Sequence, residues 1–411
     1  MNYQIEDVFS PRSFPQNTYI SRKLDDGETV DDRLKRALSM KGNLIFVTGA
    51  SKSGKTVLCH NVISSESYIA LSGNQISTKA DFWNHIAEQL PLSDAVALTT
   101  GEQNSNNKGS QAELKLNLGI ASLGASINSN TGNNMNQQLA MTNNRTERQI
   151  IRYLIDNNKV LVLDDFHYIA ADMQMYIART LKTELFNGLK AVIISLPHRS
   201  DEAIICNPDL IGRTTSIEIL PWSAEELRAI AVKGFALLGL QIGEAEERLL
   251  AQESIASPQL MQENCFQLAF ASVQKQLAIQ LDLVRYAFRQ TARNYAHYER
   301  LVQAIRQGPA QGIGRRKSYL LQDGAVDIYQ LLLLALKADP PVTELSLAAL
   351  KERLRQLLYT QAVPSSSVIS AALNKIIKIV AELMPDLDAL EYKKQCLYIL
   401  DPFLLFYLRW K

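Results

Sequence analysis

Two short stretches carry residues whose types and spacing can do chemistry together. The first is Gly49-Ala50-Ser51-Lys52-Ser53-Gly54-Lys55-Thr56, followed by Val57; the second is V-L-V-L-D-D, ending on Asp164 and Asp165. In the first, the G-x-x-x-x-G-K-T spacing lets the backbone curl so that successive N–H groups point at one anion. Lys55 supplies a counter-cation for phosphate oxygens, and the Thr56 hydroxyl supplies a ligand for Mg²⁺. In the second, a carboxylate at the end of an apolar run is costly unless a metal, a cation or several hydrogen bonds meet it. Mg²⁺ beside the phosphates meets that need, so Asp164 is the expected metal ligand, through water. Asp165 then falls where an acid would orient the attacking water. The two stretches predict ATP as ligand, Mg²⁺ as cofactor and ATP hydrolysis as the reaction. Asp is one methylene shorter than the Glu usual at that place in fast ATPases, which predicts slow or gated turnover.

Such groups must be positioned by a sheet. Candidate strands at 44–48, 68–71, 159–163, 191–196 and 216–220 alternate with helical patterns, which predicts an α/β fold with a parallel sheet and helices on both faces. Ligands of such sheets bind at the carboxyl ends of the strands, where both motifs fall. The fourth strand ends on Ser195, placed to touch the γ-phosphate or its attacking water, and Arg199 lies just beyond. Arg213 immediately precedes the last strand, a place from which an arginine can reach a neighbouring subunit's nucleotide. For each arginine the alternative is a surface salt bridge. His167 and His198 read as packing or hydrogen-bonding residues, because the chemistry already has its acid. An Asn/Ser/Gly-rich stretch at 97–145 interrupts the alternation. It reads as a short two-stranded excursion on flexible arms, or as a disordered insertion whose apolar alternation is accidental.

Composition bounds the rest. A chain of 411 residues that is 46% hydrophobic can bury large cores, and a net charge of +1 advertises no global field for nucleic acid or membrane. Cys59, Cys206, Cys265 and Cys396 have no zinc-like spacing, which points to a reducing cytosol. No apolar run approaches membrane-spanning length, and the first residues lack a basic-then-apolar signal. A soluble, cytoplasmic protein with no membrane partner is expected.

Taken together, GASKSGKT, VLVLDD, the Ser195 strand end and Arg213 resemble the AAA+ and STAND branch of P-loop ATPases, especially the bacterial and archaeal kind joined to a winged helix. The paired aspartates are closer to the STAND pattern. The segment N-T-Y-I-S-R-K resembles the N-terminal segment that packs on adenine, with Arg22 as its basic residue. P-W-S-A-E-E-L and S-I-A-S-P-Q-L-M resemble the helical lid and its Ser-Pro helix, although Gln259 and Gln262 stand near the place of the usual sensor arginine. The likeness covers about residues 15–285. It implies a P-loop ATPase core at 1–222, a helical lid and basic linker at 223–318, a winged-helix-like domain at 319–411, and a homo-oligomer.

After the lid, residues 284–317 hold eight basic residues against one acid, with Tyr286, Tyr295 and Tyr298 interleaved. The stretch either tracks a DNA or RNA backbone, with tyrosines as stacking faces, or is a solvated helix face whose aromatics enter the core. The final part reads as three helices, a short strand and a closing apolar helix, and D-P-F-L-L-F-Y-L-R-W resembles the tail of STAND-type ATPases. Lys375 and Lys378 lie on the third helix. Two function classes result: an oligomerising ATP switch acting on or near nucleic acid, as helpers of transposition, replication or defence do, and a scaffold controlling a separately encoded effector protein.

Overall fold

The computed structural model describes residues 3–24, 26–91, 147–196, 212–310, 316–322, 324–359, 362–385, 387 and 389–411. The insertion at 97–145, Arg199, His198, Cys206 and Arg315 lie outside the described residues. The chain divides into two compact units, one comprising Val30–Thr48 and Leu58–Glu218, the other Met1–Thr29, Gly49–Val57 and Ile219–Lys411.

The first unit is built on the sheet. Its elements in chain order are α1 (Val30–Ser39), β1 (Leu44–Gly49), α2 (Lys55–Val62), β2 (Tyr68–Ser72), α3 (Lys79–Ala87), β3 (Val160–Asp164), α4 (Ala171–Phe186), β4 (Lys190–Ser195) and β5 (Thr214–Ile219). The sheet order is β2-β3-β4-β1-β5, and the β2–β3, β3–β4 and β4–β1 pairs are parallel. The expected α/β fold with a parallel sheet is therefore observed. Apolar runs make these strands: Val160 to Leu163 and Ala191 to Ile194 are all buried, as parallel strands covered on both faces require. Each such side chain contributes about 1.5–3 kcal/mol when fully buried. Helix α3 starts where Thr78 and Asp81 cap each other's backbone N–H groups. Burial acts to raise the Asp81 pKa, but hydrogen bonds from Thr78 and Ser77 outweigh it and hold the carboxyl below the usual range.

The second unit has its own core, which runs from Val8 and Phe9 to the C-terminal helix. Its helices are α5 (Ala224–Leu237), α6 (Glu244–Glu253), α7 (Pro258–Lys275), α8 (Leu281–Asn294) and α9 (Glu299–Gln307). Then come a hairpin of β6 (Tyr319–Leu321) and β7 (Gly324–Val326), α10 (Ile328–Lys337), β8 (Glu344–Ser346), α11 (Leu347–Leu357), α12 (Ser366–Leu383), β9 (Leu390–Lys393), β10 (Cys396–Ile399) and α13 (Pro402–Trp410). Strands β8, β10 and β9 form a three-stranded antiparallel sheet in that order. Ser223, Ser257, Asp327, Ser346, Ser365 and Asp401 cap the helices that follow them, and Pro258 and Pro402 occupy first-turn positions that need no N–H. Among the described residues no helix is long and apolar enough to cross a membrane.

Candidate nucleotide site

The G-x-x-x-x-G-K-T loop leaves β1 at Gly49, where a side chain would clash. A Cβ there would stand 2.8 Å from the carbonyl oxygen of Ile219 and 3.0 Å from Ser53 Oγ, and Gly49 and Gly54 both have positive φ. The Lys55 ammonium donates to the carbonyls of Gly49 at 2.9 Å and Ala50 at 2.7 Å, which holds it over its own loop. Lys52 turns the loop with a left-handed φ of 62°. Ser53 is buried and its Oγ has no partner among the described residues, while its carbonyl accepts from the Trp222 indole at 2.8 Å. On the other side, the place of a Gly54 Cβ lies 3.9 Å from Pro258 at the start of α7. Thus the loop meets Trp222, just before α5, and the first turn of α7, a link that the sequence did not reveal. Ser51, Thr56 and Val57 are half-buried, with Thr56 on the first turn of α2.

In the sheet unit, the strand ends carry the acids. Asp164 ends β3, in register with Ser72 of β2, and is half-buried. The Cys59 thiol of α2 is pushed well up by burial and, next, by the Asp164 charge. Asp165 adopts a left-handed conformation (φ 54°, ψ 37°), which short polar side chains tolerate better than others. Its N–H donates to Asp164 Oδ1 at 2.8 Å. On the intervening strand β4, Ser195 lies opposite Thr48 of β1, 1% exposed, with an Oγ that has no partner among the described residues. Because these strands are parallel, Thr48, Ser195 and Asp164 share one edge of the sheet.

Arg213 does not. Its carbonyl accepts from the N–H of Leu44, the first residue of β1, so it sits at the opposite edge, about 13 Å from Thr48 at the usual strand rise. Its exposed guanidinium lies 5.9 Å from the exposed Phe186 ring. Arg22 is held within the second unit: its guanidinium makes a two-point pair with Glu226 (2.8 and 3.2 Å), donates to the carbonyls of Leu220 and Pro221, and lies 4.8 Å over the Trp222 ring. For Glu226, burial acts to raise the pKa, but the hydrogen bonds from Arg22 and Ser223 prevail and lower it. Gln262 of α7 is buried, accepts from Ser10 N–H at 3.2 Å and donates to Thr18 Oγ1 at 2.8 Å. Its role is to fasten the N-terminal segment to α7.

The basic stretch separates into two kinds of residue. Arg285, Arg289 and Arg293 recur every four residues on the exposed face of α8, and Arg300 and Arg306 are exposed on the segment that follows. The tyrosines face inward: Tyr298 is buried and donates to Asp401, Tyr295 packs 4.7 Å from Phe403, and Tyr286 lies under Lys275. Arg316 is also committed to the fold, paired with Asp327 at 2.6 Å and placed over Tyr329. On α12, Lys375 and Lys378 are exposed.

No protein-family model matches the chain, and no curated protein matches it. Solved structures similar to it include Cdc6p from Pyrobaculum aerophilum, 12% identical over 98% of this chain and 97% of that one, with a TM-score of 0.43. A Walker-type ATPase of Pyrococcus abyssi is 11% identical over 92% of this chain and 94% of that one, with a TM-score of 0.49. The Aeropyrum pernix ORC1 protein, solved in complex with DNA, is 13% identical over 98% of this chain and 95% of that one, with a TM-score of 0.45.

Proposed function

We propose that the chain is a Mg-ATP-dependent switch ATPase of the AAA+/STAND kind that works as a homo-oligomer on or near nucleic acid. The observation that carries the ATPase reading is one sheet edge: β1 enters the G-x-x-x-x-G-K-T loop there, Asp164 ends β3, and Ser195, whose buried hydroxyl has no partner among the described residues, ends β4 between them. The residues suit the ligand. Ser53 Oγ and Ser195 Oγ are buried polar atoms with no partner among the described residues, which a bound ligand or water would satisfy, and a side chain at Gly49 would clash with Ile219 and Ser53 and so distort the loop.

In this reading the loop N–H groups and Lys55 hold the phosphates, and Thr56 and Asp164 hold Mg²⁺. The separation of β3 from β1 by a full strand suits a carboxylate that reaches the metal through water. Bound Mg²⁺ supplies charge stabilisation on the phosphate oxygens. Asp165 orients the attacking water, and Ser195 and Arg199 sense the γ-phosphate. Arg213, at the far edge of its own sheet, serves a neighbouring subunit's nucleotide. Its position at the start of β1 supports that reading over a role in its own site. The order α10, β8, α11, α12, β9, β10 with an antiparallel β8-β10-β9 sheet supports a winged helix at the C-terminal end, with α12 as its third helix.

The exposed arginines of α8 support a nucleic-acid partner, whereas the inward tyrosines favour the second reading, a scaffold for a separately encoded effector. The test of the ATPase reading is phosphate release from ATP by the purified chain with Mg²⁺ and with chelator. Mg²⁺-dependent release that drops in Asp165→Asn supports it; release that is absent, or indifferent to both, refutes it.

A further inference from the structure

The backbone of Asp165 rests on Gly73. A Cβ added to Gly73, just beyond β2, would stand 2.2 Å from the Asp165 carbonyl oxygen and 2.8 Å from its carbonyl carbon. Both are main-chain atoms, so neither can swing aside as a side chain would. Gly73 is buried, and its own φ is one that any residue adopts, so the demand is for space alone. The same carbonyl accepts the Tyr168 N–H at 3.0 Å. Below the turn that follows, the buried Gln174 amide donates to the carbonyls of Phe166 at 3.0 Å and Ile169 at 2.9 Å. Asp165 is thus held from three sides: by Asp164 at its N–H, by Gly73 under its carbonyl, and by Gln174 under its turn.

We propose that Gly73 and Gln174 are positioning residues for hydrolysis, a seat that aims the Asp165 carboxylate at the attacking water. The inference rests on the reading of Asp165 as the water-orienting acid. An aspartate has one methylene less reach than a glutamate, so the placement of its backbone decides where its oxygens arrive. A displacement of about 1 Å is enough to cost on the order of a hundredfold in rate.

The test is Gly73→Ala, with Gln174→Met as a second variant that keeps volume and loses the donor. For Gly73→Ala, the single-turnover rate of ATP hydrolysis falls roughly ten- to a hundredfold, while the Kd for Mg-ATP stays within about twofold of wild type. Gln174→Met shifts both quantities in the same way by a smaller factor. Since both act through Asp165, neither lowers the residual rate of Asp165→Asn any further. A general loosening of the fold would instead weaken Mg-ATP binding in step with the rate and would add to the Asp165→Asn loss; that result overturns the proposal, as does a wild-type rate in both variants. If Gly73→Ala does not fold, Gln174→Met decides. A wild-type chain that fails to bind Mg-ATP overturns the reading of the site itself, and this inference with it.

Discussion

The Trp222 indole N–H donates to the carbonyl of Ser53 at 2.8 Å, and the same ring lies 4.8 Å beneath the Arg22 guanidinium. One residue therefore touches both the phosphate loop and the clamp that holds the N-terminal segment. In the proposed site the N–H groups of that loop hold phosphate, so binding should be felt at the Ser53 carbonyl and its Trp222 partner. Mg-ATP should alter the tryptophan emission of the wild-type chain, and Trp222→Phe should lose that response. A response that survives in Trp222→Phe and disappears in Trp83→Phe would place the reporter elsewhere.

Stability should depend on the Arg22–Glu226 pair with a definite pH sign. The folded-state pKa of Glu226 is lowered, so its contribution is present above the unfolded carboxylate pKa and is lost as pH falls through the folded value. Arg22→Ala should destabilise the second unit by about 2 kcal/mol at neutral pH, since it removes a charge-assisted pair and two hydrogen bonds to carbonyls. The gap between the urea midpoints of wild type and variant should narrow as pH drops below the ordinary carboxylate range. A gap that is constant with pH would assign the loss to packing on Trp222.

Glu253 is 2% exposed and accepts from Arg409 Nε at 2.9 Å, Arg409 Nη2 at 2.6 Å and the Trp410 indole at 2.6 Å. Arg409→Met strands that carboxylate and should cost about 3–5 kcal/mol, whereas Arg409→Met with Glu253→Met should recover most of the loss. Equal losses in the single and double variants, measured by denaturant unfolding, would mean that the pair contributes little beyond its volume.

Much of this was legible locally. Strand ends fell within one or two residues of their observed positions because buried parallel strands are written as continuous apolar runs, and G-x-x-x-x-G-K-T names its own turn. What was not legible depends on distant partners. Arg22 reads as a basic residue near a ligand, but its partner Glu226 lies 204 residues away. Gly73 has an ordinary φ and no motif, and only the approach of Asp165 makes it obligatory. The tyrosines of the basic stretch interleave with arginines in sequence, yet Tyr295 and Tyr298 lie beyond the end of α8 and pack inward, while Arg285, Arg289 and Arg293 stay on its exposed face.

That separation singles out the arginines to replace in a nucleic-acid test. Replacing Arg285, Arg289 and Arg293 with Ser should flatten the salt dependence of DNA or RNA binding by up to about one unit of slope for each phosphate no longer engaged, with ATP binding intact. Arg316→Ser should instead lower stability, because it unpairs Asp327. A wild-type chain with no salt-dependent binding to either nucleic acid, with or without ATP, would favour the scaffold reading.

The central claim is that Lys55 and its loop hold the phosphates of Mg-ATP. Calorimetric titration of wild type and Lys55→Ala with Mg-ATP addresses it directly. The account predicts saturable binding to wild type and a loss of affinity of at least about tenfold in the variant, because the loop N–H groups must then hold several negative charges without their counter-cation. Near-equal affinity in the two proteins would contradict it.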